Sequence, residues 1–282
     1  MECVDIIMED YKKLTLIGSG NTADVYEIDS TKILKLFKSG MPKEICEMEF
    51  MNTKSVGSVI SAVPAAYQTV EVDGRFGAVY EKINGYSMLE RMTSKLWTSN
   101  AQAKLLARYH ADIQKESAHP FPPVKQKLKQ DISSSDFLTE EEKRKVYCYL
   151  DALPEGNTLC HFDFHPGNVI IQEGKPVIID WMTLCYGDKC SDIARTGVIL
   201  KYHQLPHGPW LVKKLVQYMQ NRLYMVYIKE YINITGIDKK DVEQWELPVA
   251  AARLREGISD QEKGVLIKEI RKQLNSYNIQ VR

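Results

Sequence analysis

Apolar residues recur along this chain with two periods, and the change from one to the other divides it. Over the first eighty or so residues the period is two and the runs are short. Leu14 to Gly18, Asp24 to Ile28 and Lys32 to Phe37 read as three strands bounded by turn residues. Ala66 to Val72 and Arg75 to Lys82 are joined by Asp73-Gly74, a strong hairpin signal because Asp-Gly tolerates the positive φ of a two-residue turn. A helix from Pro42 to about Val56 interrupts the strands, with Ile45, Met48, Asn52 and Val56 at helical spacing. The pattern predicts a five-stranded antiparallel sheet with one inserted helix over residues 1–84, and Gly85 as the hinge to a second lobe, 85–282.

From Ser87 onward the period is helical. Ala101 to Gln114 sets Leu105, Leu106, Tyr109 and Ile113 at helix-like spacing, with His110 as a packing residue. Pro120-Phe-Pro-Pro123 breaks the pattern, and Ser133-Ser-Ser135 reads as a mobile loop. Thr139, with Glu142 three residues later, has the capping-box signature of a helix start. Asp188 to Leu200, Pro209 to Tyr231, Asp238 to Glu256 and Ser259 to Leu274 read as helices. The run Leu211 to Tyr231 is apolar on most faces but carries Lys213, Lys214, Arg222, Lys229 and Glu230, which makes it a core helix and not a membrane span. One short hairpin interrupts the helices: Asn168 to Ile171 and Val177 to Ile179, separated by Gln172-Glu-Gly-Lys175. The fold class is therefore α+β, with two lobes.

Composition narrows the partners. The 282 residues hold 37 Lys plus Arg and 37 Asp plus Glu, so no global charge favours nucleic acid or an anionic membrane. The start, Met1 to Asp10, is acidic where a signal peptide is basic, which points to a cytoplasmic protein. Cysteines 3, 46, 148, 160, 185 and 190 form no CxxC pair, so neither a disulfide framework nor a structural zinc site is expected. Oligomeric state has no signature.

The chemistry concentrates in residues 159–181. His161, Asp163 and Asn168 surround the Pro166-Gly167 turn, and Asp180 ends the partner strand of the following hairpin. An Asp, an Asn and a second Asp at one mouth suit a hard cation such as Mg²⁺, with one carboxylate left to orient a hydroxyl. The same residues also suit a polar turn closed by Asx hydrogen bonds, and both readings stay open at this point. His161-x-Asp163-x-His165 also alternates as metal ligands on a strand can, which gives a metallohydrolase as an alternative.

Upstream, Gly18-Ser19-Gly20-Asn21-Thr22 lies between two strands, and its small residues let backbone N–H groups approach phosphate oxygens. A strand follows it, which disfavours the strand–loop–helix of a Rossmann or Walker site. Lys35 shares a strand face with Ile33 and Phe37 and needs an anionic partner there. Glu49, four residues after Ile45 on the inward helix face, is the best candidate.

In this order, the parts form the inventory of a phosphoryl-transfer enzyme. Gly18-x-Gly20-x-x-Ala23-x-Val25 resembles the glycine-rich loop of the protein-kinase-like superfamily, and His161-Phe-Asp-Phe-His-Pro-Gly-Asn168 resembles its catalytic loop. Phe162 in place of arginine, Asp180-Trp-Met182 without the D-F-G glycine, the absence of A-P-E, and Gly187-Asp188-x-x-x-Asp192 look like the aminoglycoside phosphotransferase/choline kinase family. That resemblance implies a small-molecule kinase, with a non-catalytic pseudokinase as the alternative. By position, Asp163 would orient the acceptor hydroxyl, and Asn168 and Asp180 would hold Mg²⁺. Lys35 would contact the α- and β-phosphates of ATP or GTP and pair with Glu49, although Glu47 also fits the family's register. Ser19 to Thr22 would cover the phosphates beside Gly18 and Val25, and the backbone of Glu81 and Ile83 would meet the base. Tyr80 stands where the base pocket is guarded. His161 would support the loop, His165 would touch the γ-phosphate or act from behind, and Asp188 and Asp192 would support the site. Residues 236–282 carry nine Lys/Arg against eight Asp/Glu, which disfavours a polycationic acceptor, although Asp188, Asp241, Glu243 or Glu246 could still bind an amine.

Overall fold

The computed structural model describes residues 11–115, 121–205 and 208–276. The readings made on residues 1–10, Pro120 and the C-terminal residues 279–282 lie outside these. Among the described residues no helix is long and apolar enough to cross a membrane.

The chain forms two compact units that exchange a segment: the first runs to Glu90 and takes back Gly167–Thr183, and the second holds Arg91–Pro166 and Leu184 onward. In the first unit, β1 (Thr15–Ser19), β2 (Ala23–Glu27) and β3 (Lys32–Phe37) precede α1 (Lys43–Gly57), and β4 (Ala66–Val72) and β5 (Arg75–Glu81) follow it. The five strands make one antiparallel sheet in the order β1-β2-β3-β5-β4. Alternation along β3 separates two cores. Leu34 and Leu36 face a cluster with Tyr11, Val72 and Val79, whereas Phe37 faces Cys46 and Phe50 of α1 together with Ala78 and Tyr80. Lys35 falls on the α1 side with Phe37, as its place in the strand dictates.

The returning segment contributes β8 (Val169–Gln172) and β9 (Lys175–Ile178), and β8 also pairs with β6 (Tyr86–Ser87). The expected hairpin is present, and its turn needs positive φ at Glu173 and Gly174, just as Asp73 and Gly74 need it between β4 and β5. Gly85 lies within this unit rather than at its edge. A Cβ there would stand 2.3 Å from the Ile171 carbonyl oxygen, so close backbone approach, not hinge flexibility, explains the glycine.

The second unit is helical: α3 (Ser99–Ile113), α4 (Val124–Ser133), α5 (Glu140–Ala152), α6 (Lys189–Tyr202), α7 (Trp210–Thr235), α8 (Lys239–Arg253) and α9 (Asp260–Ser276), preceded by α2 (Met88–Ser94), in which the boundary falls. Short strands β7 (Thr158–Cys160) and β10 (Cys185–Gly187) pair antiparallel and flank the candidate loop. The capping box at Thr139 is formed in full, with Glu142 N–H donating to the hydroxyl and Thr139 N–H donating to the Glu142 carboxylate.

Two sequence expectations fail here. Ser133 ends α4 and Ser135 is buried, so the serine run is a packed helix exit, with Ser133 and Ser134 hydroxyls bonding the Gln130 carbonyl. Helix α7 is a core element only in its later turns, where Tyr224, Tyr227, Ile228 and Tyr231 are buried, while Leu211 and Tyr218 stand 68% and 63% exposed. Its 26 residues extend about 39 Å, far beyond the shorter α3 against which it packs.

The glycine geometry gives a paired test by urea unfolding. Gly85→Ala should cost about 1–3 kcal/mol through overpacking against backbone. Gly57→Ala, at a helix end with nothing within 4 Å, should gain about 0.5–1 kcal/mol by restricting the unfolded chain. Equal stability of the two variants would refute the packing argument.

Candidate active site

The first unit holds Lys35, Glu49, Asn168 and Asp180 of the candidate residues. The Lys35 ammonium donates to Glu49 Oε1 at 2.6 Å and lies 3.3 Å from Asp180 Oδ1. Burial opposes its charge, yet Asp180 and then Glu49 raise its pKa, so Lys35 stays protonated. Burial pushes the Glu49 carboxyl up against the pull of Lys35. Glu49 sits on the buried face of α1, whereas Glu47 is half exposed and pairs with Lys43 one turn earlier at 3.1 Å. The choice between the two glutamates is settled by helix phase. Asn52, on the same helix, donates to the Trp181 carbonyl at 3.0 Å and ties α1 to the residue after Asp180.

The glycine-rich turn is closed by its own backbone, with Gly20 N–H donating to the Ala23 carbonyl at 2.8 Å. Ser19 is less open than its sequence suggested: its hydroxyl donates to Asp24 Oδ1 at 2.8 Å and accepts from Lys38 at 3.1 Å. Asp24 also accepts from Arg75 at 2.9 Å, and bonds from Lys38, Ser19 and Arg75 outweigh burial to hold its pKa at about 2. Val25 pairs with Gly18 on one side and Lys35 on the other. Asn21 and Thr22 lie at the turn between β1 and β2, and the Thr22 carbonyl accepts from Lys38 N–H. Glu81 N–H donates to the Ala65 carbonyl, and the Ile83 carbonyl accepts from Gly85 N–H. Tyr80 is buried, its ring centroid 6.4 Å from that of Phe50.

Asn168 and Asp180 are brought together by the hairpin register, since Ile179 N–H donates to the Asn168 carbonyl at 3.0 Å. Asp180 takes a φ of 66°, in the left-handed region that costs a non-glycine residue about 1 kcal/mol or more. One carboxylate and one amide oxygen suit Mg²⁺, which keeps several waters and takes further oxygens from phosphates. The Asp180 side chain is 32% exposed and so accessible to such a cation. Among the described residues no three His, Cys, Asp or Glu side chains form a metal-holding group.

The second unit holds His161, Asp163, His165, Asp188 and Asp192. Asp192, wholly buried on α6, accepts His161 N–H and Phe162 N–H at 2.9 Å each. Its Oδ2 also lies 2.9 Å from His110 Nε2, while His110 Nδ1 is 2.7 Å from the Tyr227 hydroxyl. His110 stacks on Phe164 with ring centroids 4.1 Å apart. Burial opposes the Asp192 charge, but His110 and the Phe162 N–H hold its pKa low. His161 is buried, and its Nδ1 accepts Asp163 N–H at 3.2 Å, an arrangement that supports the loop. The Asp163 carboxylate stands 3.7 Å from His165 Nε2 and 3.7 Å from Arg195 Nη2. Against burial, His165 and then Arg195 lower its pKa, so it is ionised at neutral pH.

Asp188 caps α6 by accepting Cys190 N–H at 2.7 Å. Of the carboxylates considered for an amine, Glu243 is paired with Lys239 and Glu246 with Lys201. Arg195 and Glu256, 2.7 Å apart, were not singled out from sequence, although an arginine three residues after Asp192, beside the apolar Ile193, Ala194 and Val198, is a visible signal.

Residues 13–206 match the model of a phosphotransferase enzyme family. No curated protein matches the sequence. Among solved structures, a thermostable mutant of aminoglycoside phosphotransferase APH(4)-Ia in ternary complex with AMP-PNP and hygromycin B is 13% identical, with a TM-score of 0.62 over 97% of each chain. A choline/ethanolamine kinase family protein from Mesorhizobium loti is 14% identical, with a TM-score of 0.57 over 93% of this chain and 87% of that one. The streptomycin–ATP–APH(2'')-IIa complex is 16% identical, with a TM-score of 0.52 over 92% and 91%. These likenesses establish the protein-kinase-like fold.

The Asp24 cluster makes a pH prediction. A carboxylate held at about 2, below its ordinary 3.8, contributes stability that is complete above 3.8 and lost as pH falls through 2. Discounted for solvent screening, Asp24→Asn should cost about 1–2 kcal/mol in urea unfolding at pH 7. The gap from wild type should close between about pH 4 and pH 2. A gap that persists unchanged to pH 2 would contradict the assignment.

Proposed function

Because this chain belongs to the phosphotransferase enzyme family, we propose that it transfers the γ-phosphate of a nucleoside triphosphate, ATP by default, to a hydroxyl of a small molecule. The observation that carries this reading is Lys35, largely covered and charged between Glu49 and Asp180. A lysine so fixed neutralises α- and β-phosphate oxygens without having to find its place when nucleotide arrives. The backbone of the Gly18–Thr22 turn covers the phosphates, and Glu81 and Ile83 meet the base. Asn168 and Asp180 would hold Mg²⁺, which would shield the phosphate charge. Asp163, ionised and held by the loop, orients the acceptor hydroxyl and accepts its proton as the new phosphate ester forms. His165 stands beside that carboxylate and reaches the transferring phosphate or orders Asp163 from behind.

The acceptor is better read as a sugar, an amino alcohol or another hydroxylated metabolite than as a polycationic antibiotic. Glu243 and Glu246 are already tied to lysines, and Asp188 is used as a helix cap. Such chemistry belongs in the cytoplasm, where ATP and metabolites are abundant.

Coupled ADP release over a panel of sugars, amino alcohols and hydroxylated antibiotics, with MgATP binding followed by calorimetry, tests the proposal. Asp163→Ala should lower turnover by about 10²–10⁴-fold while the nucleotide Kd stays within about two-fold. Lys35→Ala should instead weaken nucleotide binding. Unchanged turnover in Asp163→Ala would refute the role of that residue, and tight MgATP binding without turnover on any acceptor would favour the non-catalytic alternative.

A further inference from the structure

Arg195 is the least expected charge in the second unit. It lies on α6 at 5% exposure, between Ile193, Ala194 and Val198, which are wholly buried or nearly so. Burying a guanidinium costs several kcal/mol unless its donors are used, so its partners identify its task. Nε donates to the Phe162 carbonyl at 3.1 Å, and Nη2 meets Glu256 Oε1 at 2.7 Å. The same Nη2 stands 3.7 Å from Asp163 Oδ1, too far for a hydrogen bond but within ion-pair range. The guanidinium carbon is 5.9 Å from the centre of the Phe162 ring.

Phe162 is the strained point of the loop. Its φ of 63° is unfavourable for a bulky residue and persists only where surrounding bonds enforce it. Asp192 holds its N–H at 2.9 Å and Arg195 holds its carbonyl, so the Phe162 backbone before Asp163 is gripped on both sides. Glu256 takes the close contact with Arg195 and is itself held by Arg253 at 3.0 Å. That division places the Arg195 guanidinium at 3.7 Å from Asp163 while its short contact goes to Glu256.

We propose that Arg195 is a positioning residue: anchored by Glu256, it enforces the Phe162 backbone and so aims the Asp163 carboxylate at the acceptor hydroxyl. The functional part of this inference rests on the phosphotransferase reading given above; the loop-holding part does not. No residue to which Arg195 is bonded has been assigned to nucleotide binding.

Two measurements on the full chain test it, with Arg195→Met, Arg195→Lys, Glu256→Gln and Asp163→Asn compared with wild type. The first is MgATP turnover with water as acceptor. Arg195→Met should lower kcat about 100-fold, the penalty of a reacting group displaced by an ångström, with the KM for MgATP within about two-fold. Arg195→Lys should recover about ten-fold of that loss, because it restores a cationic donor without the fork, and Glu256→Gln should fall between wild type and Arg195→Met. A merely structural role would instead reduce the fraction of nucleotide-binding protein and leave Lys no better than Met; that outcome, or an unchanged kcat, overturns the proposal. The second is amide hydrogen exchange. Peptides covering residues 160–166 should exchange at least about ten-fold faster in Arg195→Met while those of α3 and α7 stay as in wild type. Unchanged exchange in 160–166 overturns the loop-holding role whatever the turnover result. Wild-type turnover that Asp163→Asn does not reduce marks failure of the phosphotransferase reading instead, and the exchange result then decides the loop-holding role alone. Should Arg195→Met fail to fold, Arg195→Lys and Glu256→Gln carry both comparisons, with the same directions required.

Discussion

One buried carboxylate governs the loop that carries Asp163. Asp192 receives two consecutive backbone N–H groups, those of His161 and Phe162, and is flanked by His110. Loop amides have no regular partners of their own, and leaving two of them and a charge unsatisfied in the interior would be prohibitively costly. The bonds to Asp192 therefore fix the chain just before Asp163, and the stack of His110 on Phe164 fixes it just after. Within that frame Phe162 is held in a conformation it would otherwise avoid.

The first unit follows the same logic with the signs arranged differently. Lys35 keeps its charge with little exposure because Glu49 and Asp180 stand on either side of it, and Asp180 is held in a left-handed conformation on the hairpin that also positions Asn168. Among the described residues, the two strained non-glycine residues outside hairpin turns are Phe162, which precedes Asp163, and Asp180 itself. Strain placed where a carboxylate must point is consistent with preorganisation, in which folding free energy fixes geometry before a substrate arrives.

Much of this was legible in the sequence, for identifiable reasons. The sheet, the inserted helix and both Gly-containing hairpin turns have strong local signals, and strand alternation with helix phase favoured Glu49 for Lys35 while Glu47 stayed open until the structure showed the Lys35–Glu49 bond. Other features were not legible because their causes are not local. Strands β7 and β10 are three residues each, too short for a period, and only their pairing defines them. Gly85 resembles a hinge in sequence, and only the Ile171 carbonyl beside it reveals a packing constraint. The pairing of Arg195 with Glu256 joins residues sixty-one positions apart, so neither alone announces it. Ser133 to Ser135 read as mobile because serine favours loops, yet tertiary packing buries Ser135.

The central claim is that this chain moves a phosphate to a small hydroxylated molecule. The most direct measurement is ³¹P NMR of a low-molecular-mass metabolite extract incubated with MgATP and the protein. The account predicts a phosphomonoester resonance that grows as the γ-phosphate signal of ATP falls, and that is absent when Asp163→Asn replaces the wild type. Consumption of ATP to orthophosphate alone, or an ester that forms equally with Asp163→Asn, would contradict it.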